Sequence, residues 1–158
     1  MPHFPEPSPA NRFLADHVVR LQASLQHWTR RTLVNHAQSL EEQARQLFYV
    51  PFVVVSHDTE KEPFFNYANR CALALFEMTW DEFTRLPSRQ SAASVEQEER
   101  DRLLAQVTAH GFIDRYEGIR ITQSGKRFRI ENAVVWNLLD SSNQPYGQAA
   151  MFDRWVFL

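Results

Sequence analysis

Residues 63–83 read PFFNYANRCALALFEMTWDEF, and the change of rhythm within them decides the fold. Phe64 to Tyr67 is a short run rich in rings, the composition of a strand. From Asn69 to Met78 apolar residues instead recur at helical spacing. Thr79 then caps another short helix, which carries Trp80, Phe83 and Leu86, places the acids Asp81 and Glu82 in its first turn, and is stopped by Pro87. A strand running straight into short helices predicts a mixed architecture.

Upstream, Phe52, Val53, Val54 and Val55 are strand formers, followed by the polar loop His57 to Glu62. Before Pro51 a helix is expected to begin at Ser39, with Glu42 three residues on as in a capping box, and with Leu40, Ala44, Leu47 and Phe48 on its apolar side. Further back, Pro9 suits the start of a helix running to about Val34. Leu14, Val18, Leu21, Leu25 and Trp28 make a narrow apolar seam on it, amid polar and basic residues such as Arg20, Gln22 and Arg30. Two readings of this seam stand together: it packs on its own domain, or it is a dimer contact. Residues 1–10 hold four of the eight prolines and are expected to form a disordered or extended lead.

Downstream, Ser88 to Ser94 reads as loop. A charge-rich helix follows from Ser94, with Leu103, Leu104, Val107 and the marginal Val95 as its apolar positions and Gly111 at its end. Three strands complete the chain: Tyr116 to Thr122, Phe128 to Leu139 and Tyr146 to Phe157, with turns at Ser124-Gly125 and Asp140 to Pro145. In the middle one Phe128, Ile130, Val134, Trp136 and Leu138 are expected on one face, with Asn132 among them. The expected organisation is a lead over 1–10, N-terminal helices over 11–46 and a folded domain over 47–158.

Composition narrows the function. The 158 residues are 44% hydrophobic and 23% charged, which is globular rather than disordered, and 12 Phe with 4 Trp imply a core or pocket lined by rings. A net charge of −2 gives no electrostatic reason for a nucleic-acid or anionic-membrane partner. Cys71 is the single cysteine, so neither an intrachain disulfide nor a cysteine-based zinc site can be built. The start lacks the basic-then-apolar order of a signal peptide, and no run reaches bilayer-spanning length; a cytoplasmic protein is expected.

The strand and helix order is that of a PAS domain, an α+β fold with a five-stranded antiparallel sheet and helices on one face. Three separated stretches go further: residues 63–83 as quoted, RIENAVVWNLLD at 129–140 and MFDRWVFL at 151–158. They resemble the MEKHLA domain, a PAS-related family found as stand-alone bacterial proteins and at the C-terminus of plant class III homeodomain–leucine zipper factors. The resemblance covers Leu47 to the chain end and extends loosely into the leading helices. It implies a PAS-like fold and a regulatory or sensory role, with control of dimerisation in the plant members. It supplies no mechanism.

Candidate chemistry is sparse. Ser56, His57 and Asp58 have the letters of a hydrolytic triad, but neighbours on a strand point to opposite faces and a triad must converge. The six histidines (3, 17, 27, 36, 57 and 110) show no metal-ligand spacing, and no metal site is expected. His110 lies where haem-binding PAS proteins carry an axial histidine; its other reading is a cation favourable to a helix C-terminus. Cys71 lies in N-R-C-A-L-A, early in the helical block, and does not match the N-C-R-F-L-Q motif of photoactive LOV cysteines; a small buried apolar residue is expected there. Non-covalent flavin stays open, with Gln148 facing it. The run Glu96, Glu98, Glu99, Arg100, Asp101, Arg102 reads as a solvated helix face supported by Glu98 with Arg102.

The informative residues are polar ones within apolar runs: Asn66, Asn69, Arg89, Asn132 and Gln148. A buried amide or guanidinium costs ~1–3 kcal/mol unless paired. Pairing with backbone, Glu131 or Asp153 is one solution. The other is a small ligand walled by Phe76, Trp80, Phe112 and Trp136, gripped by Arg89 if it is acidic. With four glycines there is no phosphate-cradling loop, and no nucleophile–base pair is evident, so an enzyme is not expected. The expected function is a PAS-like sensory module binding a small ligand or protein partner. No output domain is expected within these 158 residues, so the module is expected to act in trans, as a homodimer or through a partner. The alternatives are a dimerisation protein with a filled core and, last, an enzyme on a small metabolite.

Overall fold

The computed structural model describes residues 3–158. The elements in chain order are α1 (Ala15–Thr29), α2 (Leu40–Tyr49), β1 (Val53–His57), β2 (Phe65–Ala68), α3 (Arg70–Phe76), α4 (Trp80–Thr84), α5 (Ser94–His110), β3 (Phe112–Ile121), β4 (Arg127–Leu139), β5 (Pro145–Phe152) and β6 (Arg154–Phe157). All strand pairings are antiparallel, in the order β2-β1-β5-β4-β3, and β6 pairs with the first part of β4.

The sheet therefore has six strands rather than five. The expected last strand divides at Asp153: β5 runs along β1 and the far half of β4, while β6 pairs Arg154–Phe157 with Glu131–Phe128. The cause is visible in β4, where Asn132 has φ 56, a left-handed conformation that asparagine tolerates better than most residues. Around it Tyr116 pairs with Ala133 but Gly118 with Ile130, so β4 carries one extra residue. Arg115, at φ 54, supplies a compensating extra residue in β3.

These bulges correct the expected face of β4. Phe128 and Ile130 lie on the inner face with Ala133 and Val135, whereas Val134, Trp136 and Leu138 point to the other side, toward α1. The helices of the domain and the N-terminal helix take different faces of the sheet. α5 and α3 pack near the inner face, and α1 lies across the outer face on β4.

The seam of α1 is consequently buried within its own chain. Val18, Leu21 and Leu25 are at most 2% exposed, and Leu14 and Trp28 pack against the same core. Hydrogen bonds fix this placement. Trp136 Nε1 donates to Leu21 O at 3.2 Å, Trp28 Nε1 to Asn137 O at 2.9 Å, and Leu139 N to Ser24 Oγ at 2.8 Å. The Trp28 ring lies over Gly111, where an added Cβ would stand 2.5 Å from the ring, so only glycine admits the contact. Of the two readings of the seam, packing on its own domain accounts for this burial, with α1 set against β4 and α2.

The leading helix is shorter than Pro9 to Val34. Pro9–Leu14 is a tight turn with Arg12, Phe13 and Leu14 at φ 55, 53 and 56, and α1 ends at Arg30, again left-handed at φ 63. Phe4 packs on the core and its carbonyl accepts from Trp80 Nε1 at 2.9 Å; residues 1 and 2 of the expected lead lie outside the described residues.

The caps follow their sequence signals. Ser39 Oγ accepts from Glu42 N at 3.2 Å at the start of α2, although Leu40 stays exposed. At α4, Thr79 Oγ1 accepts from Glu82 N while Glu82 Oε1 accepts from Thr79 N, a complete capping box. Gly111 closes α5.

Candidate ligand cavity

Between the inner face of the sheet and α5 lies a cavity of about 70 Å³. Val55, Phe65, Phe76, Leu103, Leu104, Ile130, Val135 and Phe152 form most of its apolar walls, and Ser56, His57, Ser91, Arg100, Tyr116, Arg120 and Gln148 are its polar residues.

Alternation along β3 brings Tyr116, Gly118 and Arg120 to one face. Tyr116 lies back along its own strand, where a Cβ on Gly118 would meet its hydroxyl at 2.0 Å, so the ring's position depends on that glycine. Arg120 Nη2 donates to Tyr116 Oη at 3.3 Å and Nη1 to Ile119 O at 2.9 Å; Tyr116 in turn donates to Glu99 Oε2 at 2.9 Å. Arg120 Cζ sits 5.8 Å from the Tyr116 ring centre. Burial raises the Tyr116 hydroxyl above its ordinary range.

From α5, Arg100 enters the same space. Its Nη2 donates to Ser88 Oγ and its Nη1 contacts Asp101 Oδ1 at 3.3 Å. Burial, reinforced by the charge of Arg120, lowers the Arg100 guanidinium to about 10. Ser88 lies 2.8 Å from His57 Nδ1, and His57 Nε2 lies 3.0 Å from Gln148 Oε1. One set of proton positions satisfies the chain: Arg100 donates to Ser88, Ser88 to His57 Nδ1, and His57 Nε2 to Gln148. Gln148 Nε2 is held by Leu104 O, Thr108 Oγ1 and Asn137 Oδ1, fixing which end of the amide faces the histidine. Burial first, and the charge of Arg100 second, lower His57 to about 4, so its ring is neutral.

A second buried network lies on the outer face. His17 Nε2 is 2.9 Å from Ser56 Oγ, Ser56 donates to Asn66 Oδ1 at 2.6 Å, and His17 Nδ1 is 3.1 Å from the Tyr146 hydroxyl. Adjacent Ser56 and His57 thus serve opposite faces and cannot converge. Ser88, though paired with His57, is not a lining residue of the cavity.

Several candidates move. Of the nine expected pocket residues, Phe76 and Gln148 line the cavity. Arg89 lies outside it, its side chain 48% exposed and paired with Asp101 at 3.2 Å, because the Ser88–Ser91 turn points it to solvent. Asn132 is exposed at the bulge. Asn69 is buried but fully paired: Oδ1 accepts from Val54 N and Ala72 N, and Nδ2 donates to Leu47 O and Phe52 O. Asn66 belongs to the outer network, with Nδ2 lacking a partner. Trp80 packs on Phe4 and Tyr67, and Phe112 pairs with Trp136 on the α1 side.

Arg100 and Arg120 were missed. Arg100 stands in the run read as a solvated face, yet it and Glu96 are both buried, the latter paired with Arg127. A signal existed: Arg100, Leu103, Leu104 and Val107 follow the i, i+3, i+4, i+7 rule, so Arg100 sits on the apolar stripe. Glu98 and Arg102 do pair at the surface, at 3.1 Å.

Residues 15–157 match the family model of the MEKHLA domain. The chain belongs to the MEKHLA domain family. No functionally curated protein matches it in sequence. In structure, this MEKHLA domain is similar to the PAS domain of a protein from Colwellia psychrerythraea, with 17% identity and a TM-score of 0.63 over 71% of this chain and 92% of that one. It is similar to an RNA-binding light-oxygen-voltage receptor at 15% identity and TM-score 0.63, covering 75% of this chain but 34% of that one. It is also similar to a light-oxygen-voltage domain studied with a flavin analogue, at 12% identity and TM-score 0.59, over 74% of this chain and 84% of that one. At these identities the likeness establishes the PAS fold.

Flavin and haem do not fit the residues present. A cavity of about 70 Å³ is far below the roughly 300 Å³ at which pockets for such ring systems begin. Cys71 and His110 are outside its lining, His110 being exposed at the end of α5. Among the described residues, no group of three or more His, Cys, Asp or Glu is placed to hold a metal ion, and no helix is long and apolar enough to cross a membrane.

Proposed function

We propose that this MEKHLA domain is a PAS-type sensory module that takes a small, colourless ligand into the cavity beneath α5 and acts in trans, on a second copy or a partner protein. The carrying observation is the cavity's two-sided wall, with Phe65, Phe76, Ile130 and Val135 on one part and buried Arg100, Tyr116 and Arg120 on another. A filled core has no use for buried guanidinium groups, which cost free energy to desolvate. Because the α1 seam is covered, contact in trans uses another surface.

The filled-core alternative is favoured by one feature, the cavity's small volume. Native mass spectrometry of protein purified under mild conditions separates the two. A mass above that of the polypeptide, lost on denaturation, with no visible absorbance, is expected. A bare polypeptide mass together with no thermal stabilisation by any small metabolite in a broad panel would support the filled core instead.

A further inference from the structure

The cavity beneath α5 contains more positive charge than the protein neutralises. Arg100 and Arg120 are 5% and 8% exposed, and both line it. Among the described residues, the one carboxylate within ion-pair reach of Arg100 is Asp101, which is 46% exposed and shared with Arg89. Among the described residues no carboxylate reaches Arg120, whose guanidinium hydrogen bonds go to a backbone carbonyl and a phenol. Glu99 is connected to it only through the Tyr116 hydroxyl. Buried charges are ordinarily paired, and two buried like charges sharing one cavity are unfavourable until a counter-charge arrives.

We infer that the cavity's ligand is a short-chain aliphatic carboxylate, its carboxylate held between Arg100 and Arg120 and its alkyl end among Phe76, Ile130 and Val135. The deduction rests on the sensory reading above and names its ligand class. Guanidinium forks match a carboxylate with parallel N–H donors, and Tyr116 lies beside one of them. The apolar wall distinguishes a carboxylate from inorganic anions, which have nothing to place there. The volume of about 70 Å³ limits the alkyl part to a few carbons.

The experiment is thermal shift and calorimetric titration of the full chain with acetate, propionate and butyrate, with propionamide as neutral isostere and inorganic phosphate as apolar-free anion, at constant ionic strength. Propionate or butyrate is expected to bind, with propionamide and phosphate much weaker. Arg120→Gln is expected to weaken carboxylate binding roughly tenfold or more and, by relieving like-charge repulsion, to raise the unliganded melting temperature. Arg89→Gln, outside the cavity, should leave binding unchanged. Should Arg100→Gln fail to fold, the acid–amide comparison on the native chain and Arg120→Gln still decide. Propionamide binding as well as propionate, phosphate binding better than the carboxylates, or undiminished binding by Arg120→Gln would overturn the carboxylate assignment while leaving a ligand cavity in place. Binding by none of these probes would overturn it too; the broader metabolite panel then judges the sensory reading separately.

Discussion

His17 and His57 show how single residues tie this domain's stability to pH. Each ring is buried with a hydroxyl near one nitrogen and a second polar group near the other. Burial, which disfavours the charged form, lowers His57 to about 4 and His17 to about 3, from an ordinary 6.5. Below 6.5 the unfolded chain takes up protons that the folded chain refuses. Stability is therefore intact above that value and falls as pH drops, levelling off near 4 for His57 and near 3 for His17. The loss is on the order of a few kcal/mol from each. Urea unfolding across this window should show a falling midpoint, with a shallower fall in His57→Gln and His17→Gln, whose side chains do not titrate. Unaltered slopes in both variants would remove the histidines as the cause.

At the scale of an element, the bulge at Asn132 makes β4 serve two faces. Without the extra residue, Phe128 and Ile130 would share a face with Trp136, and either the cavity or the α1 contact would lose its apolar wall. The left-handed conformation discriminates among side chains: Asn132→Val should cost about 1–2 kcal/mol, whereas Asn132→Gly should be nearly neutral. Chemical denaturation of the two variants tests this, since the exposed side chain contributes little packing. Equal effects would show that φ at this position carries no cost.

For the whole molecule, α1 is a structural layer. It covers Val134, Trp136 and Leu138 and receives the indole hydrogen bond of Trp136 through Leu21 O. Replacing Leu21 and Leu25 together by Glu should unfold the chain, because two buried leucines are lost and two carboxylates gain no partner. Circular dichroism and light scattering distinguish the outcomes: lost near-ultraviolet signal is expected, and a native-like monomer formed from a folded dimer would restore the seam as a subunit contact.

The local grammar was legible along the chain. Ser39, Thr79 and Gly111 mark helix ends because capping is decided within a few residues, and the strand and helix order indicated a PAS fold, supported by the resemblance. The cavity was not legible, for a physical reason. Polar residues amid apolar neighbours, such as Asn69, find backbone partners distant in sequence, while Arg100 hides in a charge run and meets Arg120 only when α5 folds onto β3. Likewise Asn132 is visible as a letter, but the face reversal it produces depends on the pairing with β3, β5 and β6. The sequence by itself determined which segments are strands and helices and where most of them stop, since those preferences are local. Only the tertiary structure decided which faces they bury, that α1 is consumed by its own sheet, and that two arginines share one small cavity, since burial and charge pairing are settled by residues far apart in the chain.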